Sequence, residues 1–105
     1  MTVFDYDALR ARVTAFAERE IATRPDLNQR DDFPVDLWTA MGQSGLMAIA
    51  IPKDHGGGGG DYRALALTLE TLADFGGCQG VAISWMSHAL NARLHILGQG
   101  TAAQK

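Results

Sequence analysis

Three histidines and one cysteine are the side chains of this sequence best suited to acid–base, metal or nucleophilic chemistry. His88 and His95 lie seven residues apart in a stretch with helical periodicity, so they share a helix face two turns apart and cannot bind one ion together. No Asp or Glu lies between Phe75 and Lys105 to assist them. We therefore expect two core or interface histidines, and the residues alone predict neither a catalytic group nor a metal site.

A run of five glycines, residues 56–60, is the second stretch that could bind a ligand. It comes just before an expected helix, and the backbone N–H groups at a helix N-terminus favour anions such as phosphate. No Lys-Ser/Thr pair follows the glycines, and the carboxylate of Asp61 would repel phosphate. An apolar stretch before the run and a helix cap after it favour an ordered turn over a flexible linker. An anion- or nucleotide-binding loop stays an open alternative.

The composition is typical of a globular domain rather than a disordered chain. Of the 105 residues, 47% are hydrophobic and 20% are charged, and no apolar stretch is long enough to span a membrane. The formal net charge of −3 argues against nucleic acid and anionic membranes as partners. The single cysteine, Cys78, cannot form an internal disulfide and fits a reducing cytoplasm. Early charged residues exclude a signal peptide, so we expect one cytoplasmic domain over residues 1–105.

Apolar residues recur at helical spacing in four segments, which predicts an all-α fold, a small bundle of about four helices with a glycine-rich loop. Asp5 and Asp61 are the expected N-caps, and Gly45 is an expected C-cap. Residues 46–51 are predicted to form a buried extended segment, because this apolar run is short and Pro52 stops it. The expected helices cover residues 6–23, 34–44, 62–75 and 79–97.

The fourth expected helix differs from the others because apolar residues surround nearly its whole circumference. A helix that is apolar all round is buried all round, so we expect it to be the central helix, with too few neighbours to cover it. Thr101 and Gln104 then have the spacing of a capping box that opens a further helix, one residue before the sequence ends. We therefore expect the chain to be the front part of a longer protein, or to dock onto another chain.

A series of short motifs follows in a fixed order along the sequence: Phe33-Pro34, Gly45-Leu46, Ile51-Pro52, Gly56-Gly57, Glu70-x-Leu72-Ala73 and Gly98-x-Gly100-Thr101-x-x-Gln104-Lys105. Taken together, these motifs resemble the N-terminal helical domain of the acyl-CoA dehydrogenases, a family of flavoproteins. The sequence departs from the family pattern at Lys53, where an acidic residue is usual, and at Gly59, where a leucine is common. The glycine loop is therefore expected to be looser than in most of the family.

The resemblance implies a mechanism that this chain cannot carry alone. In the family, three domains enclose FAD, a glutamate removes the α-proton of an acyl thioester, and the β-hydride passes to the flavin. The base and the main flavin-binding motifs lie in regions that this chain does not resemble, so no catalytic or cofactor-binding residue is expected here. The domain would contribute one wall of the acyl pocket, formed by position in the fourth helix by Ala82, Ile83, Met86 and Leu90. The same four residues are equally compatible with a purely structural place in the core.

Two functions from different classes follow. The resemblance favours a fragment or subunit of an FAD-dependent acyl-CoA dehydrogenase, with acyl-CoA as substrate, with further domains or a second chain as partners, and with assembly as a homo-oligomer. The alternative is a non-catalytic helical module that covers its fourth helix by self-association. Oxidases and monooxygenases of the family share this domain, so neither the reaction subtype nor the acyl chain length follows from the sequence.

Overall fold

The computed structural model describes residues 4–29 and 31–105, and within these ranges every regular element is helical. The four main helices are α1 (Tyr6–Phe16), α2 (Val35–Gln43), α3 (Tyr62–Gly76) and α4 (Gln79–Leu90). Two of them continue as π-helix, α1 into Ala17–Ile21 and α4 into Asn91–Leu97. Short 3-10 turns occupy Pro25–Asn28, Leu46–Ala48 and Lys53–His55. The prediction of an all-α domain with about four helices is confirmed.

The helices begin and end where local sequence predicts. The side chains of Asp5 and Asp61 each accept a hydrogen bond of 2.9 Å from the backbone N–H three residues later, which caps α1 and α3. Gly77 ends α3 with a φ of 73°, a conformation that favours glycine. Thr101 and Gln104 form both bonds of the predicted capping box, at 2.8 and 3.3 Å.

The core lies where α3 packs against both α1 and α4. Trp85 of α4 is fully buried, and its indole N–H donates to the carbonyl oxygen of Leu46 at 2.8 Å. Because a buried indole N–H needs a partner, this bond ties α4 to the turn that follows α2. The other buried apolar residues are Leu9, Val13, Phe16, Ala17, Ile21, Leu37, Met41, Leu46, Ile49, Ala50, Ala64, Leu65, Leu72, Cys78, Val81, Ala82 and Ala89.

Residues 46–51 do not form the extended segment predicted for them, and that prediction is wrong. The segment begins with the 3-10 turn Leu46–Ala48 and continues in turns. Its buried side chains are Leu46, Ile49 and Ala50, a spacing that suits a helical turn rather than the alternation of a strand. No strand among the described residues is present to pair with an extended backbone. The carbonyl oxygens of this segment instead accept hydrogen bonds from the glycine turn and from the side chains of Trp85 and Arg93.

α4 and its π-helical extension are covered on one side only, which confirms the expectation that this helix has too few neighbours within the described residues to cover it. Ile83 is 55% exposed, and Leu94 and Ile96 are 44% and 48% exposed. Within the described residues, α3 and the turn at Leu46–Ala48 are the main neighbours of α4, and two neighbours cannot surround a helix. One apolar side therefore stays in contact with solvent.

The glycine run is an ordered turn that lies directly against backbone. A Cβ placed on Gly57 would lie 2.1 Å from the carbonyl oxygen of Ile51, and a Cβ on Gly60 would lie 2.8 Å from that of Ile49. Such approaches are closer than a methyl group permits, so only glycine fits at these positions. The preference for an ordered turn over a linker is confirmed.

The two positions that depart from the family pattern meet in this turn. The Cγ and Cε atoms of Lys53 lie 3.3 Å from the place that a Cβ on Gly59 would occupy. The aliphatic part of the lysine thus fills space that a larger residue at position 59 would need. Whether the loop is looser than in most of the family stays a prediction.

A hydrogen bond joins the N-terminal ends of α1 and α3. The Tyr6 hydroxyl donates to Oδ2 of Asp61 at 2.6 Å, while Oδ1 accepts the capping bond. The bond from Tyr6, and after it the backbone bond from Ala64, holds the pKa of Asp61 below its ordinary value, and desolvation opposes this. The same bond raises the pKa of Tyr6.

We expect Gly57→Ala to lower the free energy of unfolding by about 2 kcal/mol, because the new methyl group forces the turn away from Ile51. Gly42→Ala is the matched control: nothing lies within 4 Å of a Cβ at this position in α2. That substitution should raise the free energy of unfolding by about 0.5–1 kcal/mol. Urea unfolding followed by circular dichroism measures both. If both substitutions change the free energy of unfolding in the same direction, the close contact between the glycine turn and Ile51 is contradicted.

The stability that the Asp61 carboxylate contributes should depend on pH. Because its pKa is lowered in the folded state, this contribution is present at neutral pH. It is lost as the pH falls below about 4 and through the folded-state pKa. Tyr6→Phe removes the hydroxyl but keeps the ring, so this variant should lose less stability between neutral and acid pH than the wild type. Urea unfolding across this pH range tests the prediction, and parallel pH profiles would refute it.

Candidate functional site

An apolar groove of about 220 Å³ runs along the seam between α3 and α4. The two helices form a hairpin joined at Gly77 and Cys78, so the start of α3 lies beside the end of α4. Both helices line the groove with apolar side chains three or four residues apart, which places them on one face of each helix. The lining residues are Tyr62, Leu65, Ala66 and Leu69 from α3 and Met86 and Leu90 from α4.

The structure separates the four residues predicted to line an acyl pocket. Met86 and Leu90 are half-buried and line the groove together. Ala82 is only 2% exposed and belongs to the core, whereas Ile83 is exposed on the outer side of α4. Neither of these two lines the groove. The two residues that do are one helical turn apart, and this spacing suits contact with an extended apolar chain.

The α3 side of the groove was not predicted from sequence. Tyr62, Leu65, Ala66 and Leu69 supply most of the lining, and of these only Leu65 is buried. Their three- and four-residue spacing is visible in the sequence, but the same pattern is expected of any helix that packs against a core. The distinction needs the position of α4, because residues of both helices line the groove.

Arg93, in the π-helical extension of α4, contacts Tyr62, the first α3 residue that lines the groove. Its Nη1 donates to the carbonyl oxygens of Ala50 and Gly60, at 2.6 and 3.2 Å. Its guanidinium carbon lies 4.4 Å from the centre of the Tyr62 ring, within range of a cation–π contact. A single cation therefore connects α4, the glycine turn and the first residue of α3.

The glycine turn has no N–H group available for phosphate. Each of the five N–H groups donates to a backbone carbonyl oxygen at 2.7 to 3.0 Å. Binding an anion would require breaking these bonds, which argues against the nucleotide-loop alternative. The acceptors for Gly56 to Gly60, in order, are Lys53, Pro52, Ala48, Ile51 and Ile49.

The three histidines lie apart from the groove and on the surface. Of the expectation that His88 and His95 are core or interface residues, the core half is wrong, because both are exposed, as is His55. A place for them in an interface stays a prediction. The ring of His88 packs edge-on against Trp38, with 5.9 Å between ring centres. Among the described residues, no group of three His, Cys, Asp or Glu side chains could hold a metal ion. In the same part of the chain, no helix is long and apolar enough to cross a membrane.

The sequence matches known proteins over nearly its whole length. A family model for the N-terminal domain of acyl-CoA dehydrogenases matches residues 5–105. A probable acyl-CoA dehydrogenase of Mycobacterium leprae is 39% identical over 70 residues, covering 66% of this chain and 18% of the relative. A short-chain specific acyl-CoA dehydrogenase of Clostridium acetobutylicum is 31% identical over 102 residues, covering 96% and 26% of the two chains. A 3-(aryl)acrylate reductase of Clostridium sporogenes is 28% identical, covering 95% and 27%.

The matched region spans between about a fifth and a quarter of the length of these relatives. It coincides with the all-helical unit described above and includes both helices that line the groove. The chain therefore belongs to the acyl-CoA dehydrogenase family, and it corresponds to the N-terminal domain of that family.

Proposed function

We propose that this chain is the N-terminal domain, as a fragment or a subunit, of an FAD-dependent oxidoreductase that desaturates an acyl thioester between its α and β carbons. Residues 1–105 form this one domain, and its contribution is a wall of the acyl pocket. The observation that carries the proposal is the groove between α3 and α4. Met86 and Leu90 line this groove, and both lie in α4, the helix that the resemblance to the family assigns to the acyl pocket.

The chain's own residues bind and shield the apolar part of the substrate. Met86 and Leu90 exchange contact with water for contact with the acyl chain, and Met86 adapts its shape because its side chain is unbranched. Bound FAD would supply a hydride acceptor. The N–H groups of the glycine turn are not available to bind FAD, because each already donates to a backbone carbonyl oxygen. We therefore assign FAD binding and the glutamate base mainly to further domains.

The names of the relatives indicate the class of substrate but not its length. One relative is named as specific for short chains and another as acting on 3-arylacrylates. An apolar groove with no Asp, Glu, His, Lys or Arg in its lining suits either an alkyl or an aryl group next to a thioester. We propose an acyl-CoA substrate and leave the chain length to experiment.

The uncovered side of α4 and its extension gives the domain a place to dock. Ile83, Leu94 and Ile96 are exposed and apolar, and residues of this kind mark interaction surfaces. We propose that the remaining domains of a cytoplasmic, homo-oligomeric enzyme cover them. The same exposure favours the second candidate, a non-catalytic module in which copies of the chain cover one another.

One preparation tests the proposal against this alternative. The protein is purified from its source, and its intact mass, visible spectrum and flavin reduction by acyl-CoA in the absence of oxygen are measured. We expect either a chain several times heavier than 11.3 kDa or a second co-purifying chain, with bound flavin that acyl-CoA bleaches. A colourless oligomer of 11.3 kDa subunits would instead establish the self-associating module.

Met86→Trp should shift the preference of the complete enzyme towards shorter acyl chains, because the indole occupies part of the groove. We expect about a fifteenfold loss of kcat/KM for the longest substrates that the wild type accepts, equal to burying two methylene groups fewer. Ser87→Trp is the matched control, since Ser87 is the exposed neighbour on the same helix. If Met86→Trp leaves the preference for acyl chain length unchanged, Met86 does not contact the acyl chain and its role is structural. Ala82→Trp is less informative, because overfilling the core disturbs folding.

A further inference from the structure

Tyr62 stands at one end of the groove. It is the first residue of α3, and in the hairpin it lies beside Leu90 at the end of α4. The other α3 residues that line the groove follow it along the helix as far as Leu69. An apolar chain that extends along the seam past Met86 and Leu90 therefore meets the Tyr62 ring last.

The Tyr62 side chain is 52% exposed, so core packing does not hold it. Arg93 does, since its guanidinium group stacks 4.4 Å from the ring centre. Arg93 is fixed in turn by the carbonyl oxygens of Ala50 and Gly60, and the backbone bond from Gly60 to Ile49 holds this acceptor in place. The position of the Tyr62 ring thus depends on Arg93, and the position of Arg93 depends on backbone carbonyl oxygens.

The Tyr62 ring is also in contact with a charged group. Displacing the guanidinium group of Arg93 from the ring would break its bonds to two carbonyl oxygens, and apolar atoms placed against it would desolvate a cation. The other residues of the lining are apolar, so a charge adjoins the groove lining at Tyr62.

We propose, on the basis of the function proposed above, that Tyr62 forms the end wall of the acyl groove and sets the length of acyl chain that the enzyme accepts. Arg93 is the positioning residue that holds this wall. The occupant of the groove is the acyl chain of the thioester, with its far end against the Tyr62 ring.

The test measures the affinity of the complete enzyme for straight-chain alkyl-coenzyme A thioethers of increasing length, by titration calorimetry. These compounds lack the thioester carbonyl, so binding is observed without reaction. In the wild type, each added methylene group should tighten binding about fourfold until the chain reaches Tyr62, where the gain stops. This break in the series is the quantity to compare between variants.

Tyr62→Ala should move the break to longer chains. A thioether two carbons beyond the wild-type break should bind this variant about sixteenfold more tightly than the wild type. Tyr62→Phe keeps the ring and should keep the wild-type break. Tyr62→Trp should move the break to shorter chains. If Tyr62→Ala does not fold, this second variant tests whether Tyr62 sets the chain length.

Arg93→Met and Arg63→Met form a matched pair for the positioning role. Arg63 lies 4.3 Å from the centre of the Tyr6 ring, a similar contact away from the groove lining. Arg93→Met should move the break to longer chains, and Arg63→Met should not move it.

A break at the same length in wild type, Tyr62→Ala and Tyr62→Trp would overturn the end wall but leave the proposed function standing. A wild type that shows no dependence on alkyl length, or no binding, would overturn both. Side chains of another domain would then be the occupants of the groove.

Discussion

The structure depends on the contact between the glycine turn and the backbone of residues 48–51. Three successive N–H groups, those of Gly58, Gly59 and Gly60, donate to carbonyl oxygens of this segment at 2.7 to 2.9 Å. Side chains on the glycines would hold the two backbones apart. The contact sets where α3 begins, because Asp61, the cap of that helix, follows the last of these glycines. It also fixes the Gly60 carbonyl oxygen that Arg93 binds.

The turn before the glycines holds α4 as well. The Leu46 carbonyl oxygen accepts the indole N–H of Trp85, so one short segment positions both helices of the groove. Its backbone is satisfied by bonds from a buried side chain and from the glycine turn, so it needs no partner strand. The shape of the groove therefore follows from the loop between α2 and α3 as much as from the helices.

One side of α4 packs against the domain, and another side is exposed to solvent. Val81, Ala82, Trp85 and Ala89 hold it to the domain, while Ile83 and the π-helical extension present apolar side chains to solvent. A π-helical segment changes the direction of successive side chains, and such segments are frequent at functional sites. Here the segment contains Arg93, which contacts backbone more than 30 residues away. In the proposed enzyme, we expect further domains to cover this exposed side.

Features set by neighbours within four residues were predictable from the sequence. The Asp5 and Asp61 caps, the end of α3 at Gly77 and the Thr101–Gln104 capping box depend on bonds between residues close in the chain. Family membership was predictable too, because the order of several short motifs is a property of the sequence itself. Membership also singled out the helix that contains Met86 and Leu90.

Tertiary structure alone decided the rest. Periodicity could not separate Ala82 and Ile83, which belong to the core and the outer surface, from Met86 and Leu90, which line the groove, because all four are apolar residues of one helix. Residues 46–51 wind into turns because their bonding partners lie in the glycine run and in α4, which their own side chains do not indicate. The contacts of Arg93 depend on groups brought together only by folding. A sequence pattern records which faces are apolar, whereas the position of the neighbouring element decides which of those faces becomes core, groove or open surface.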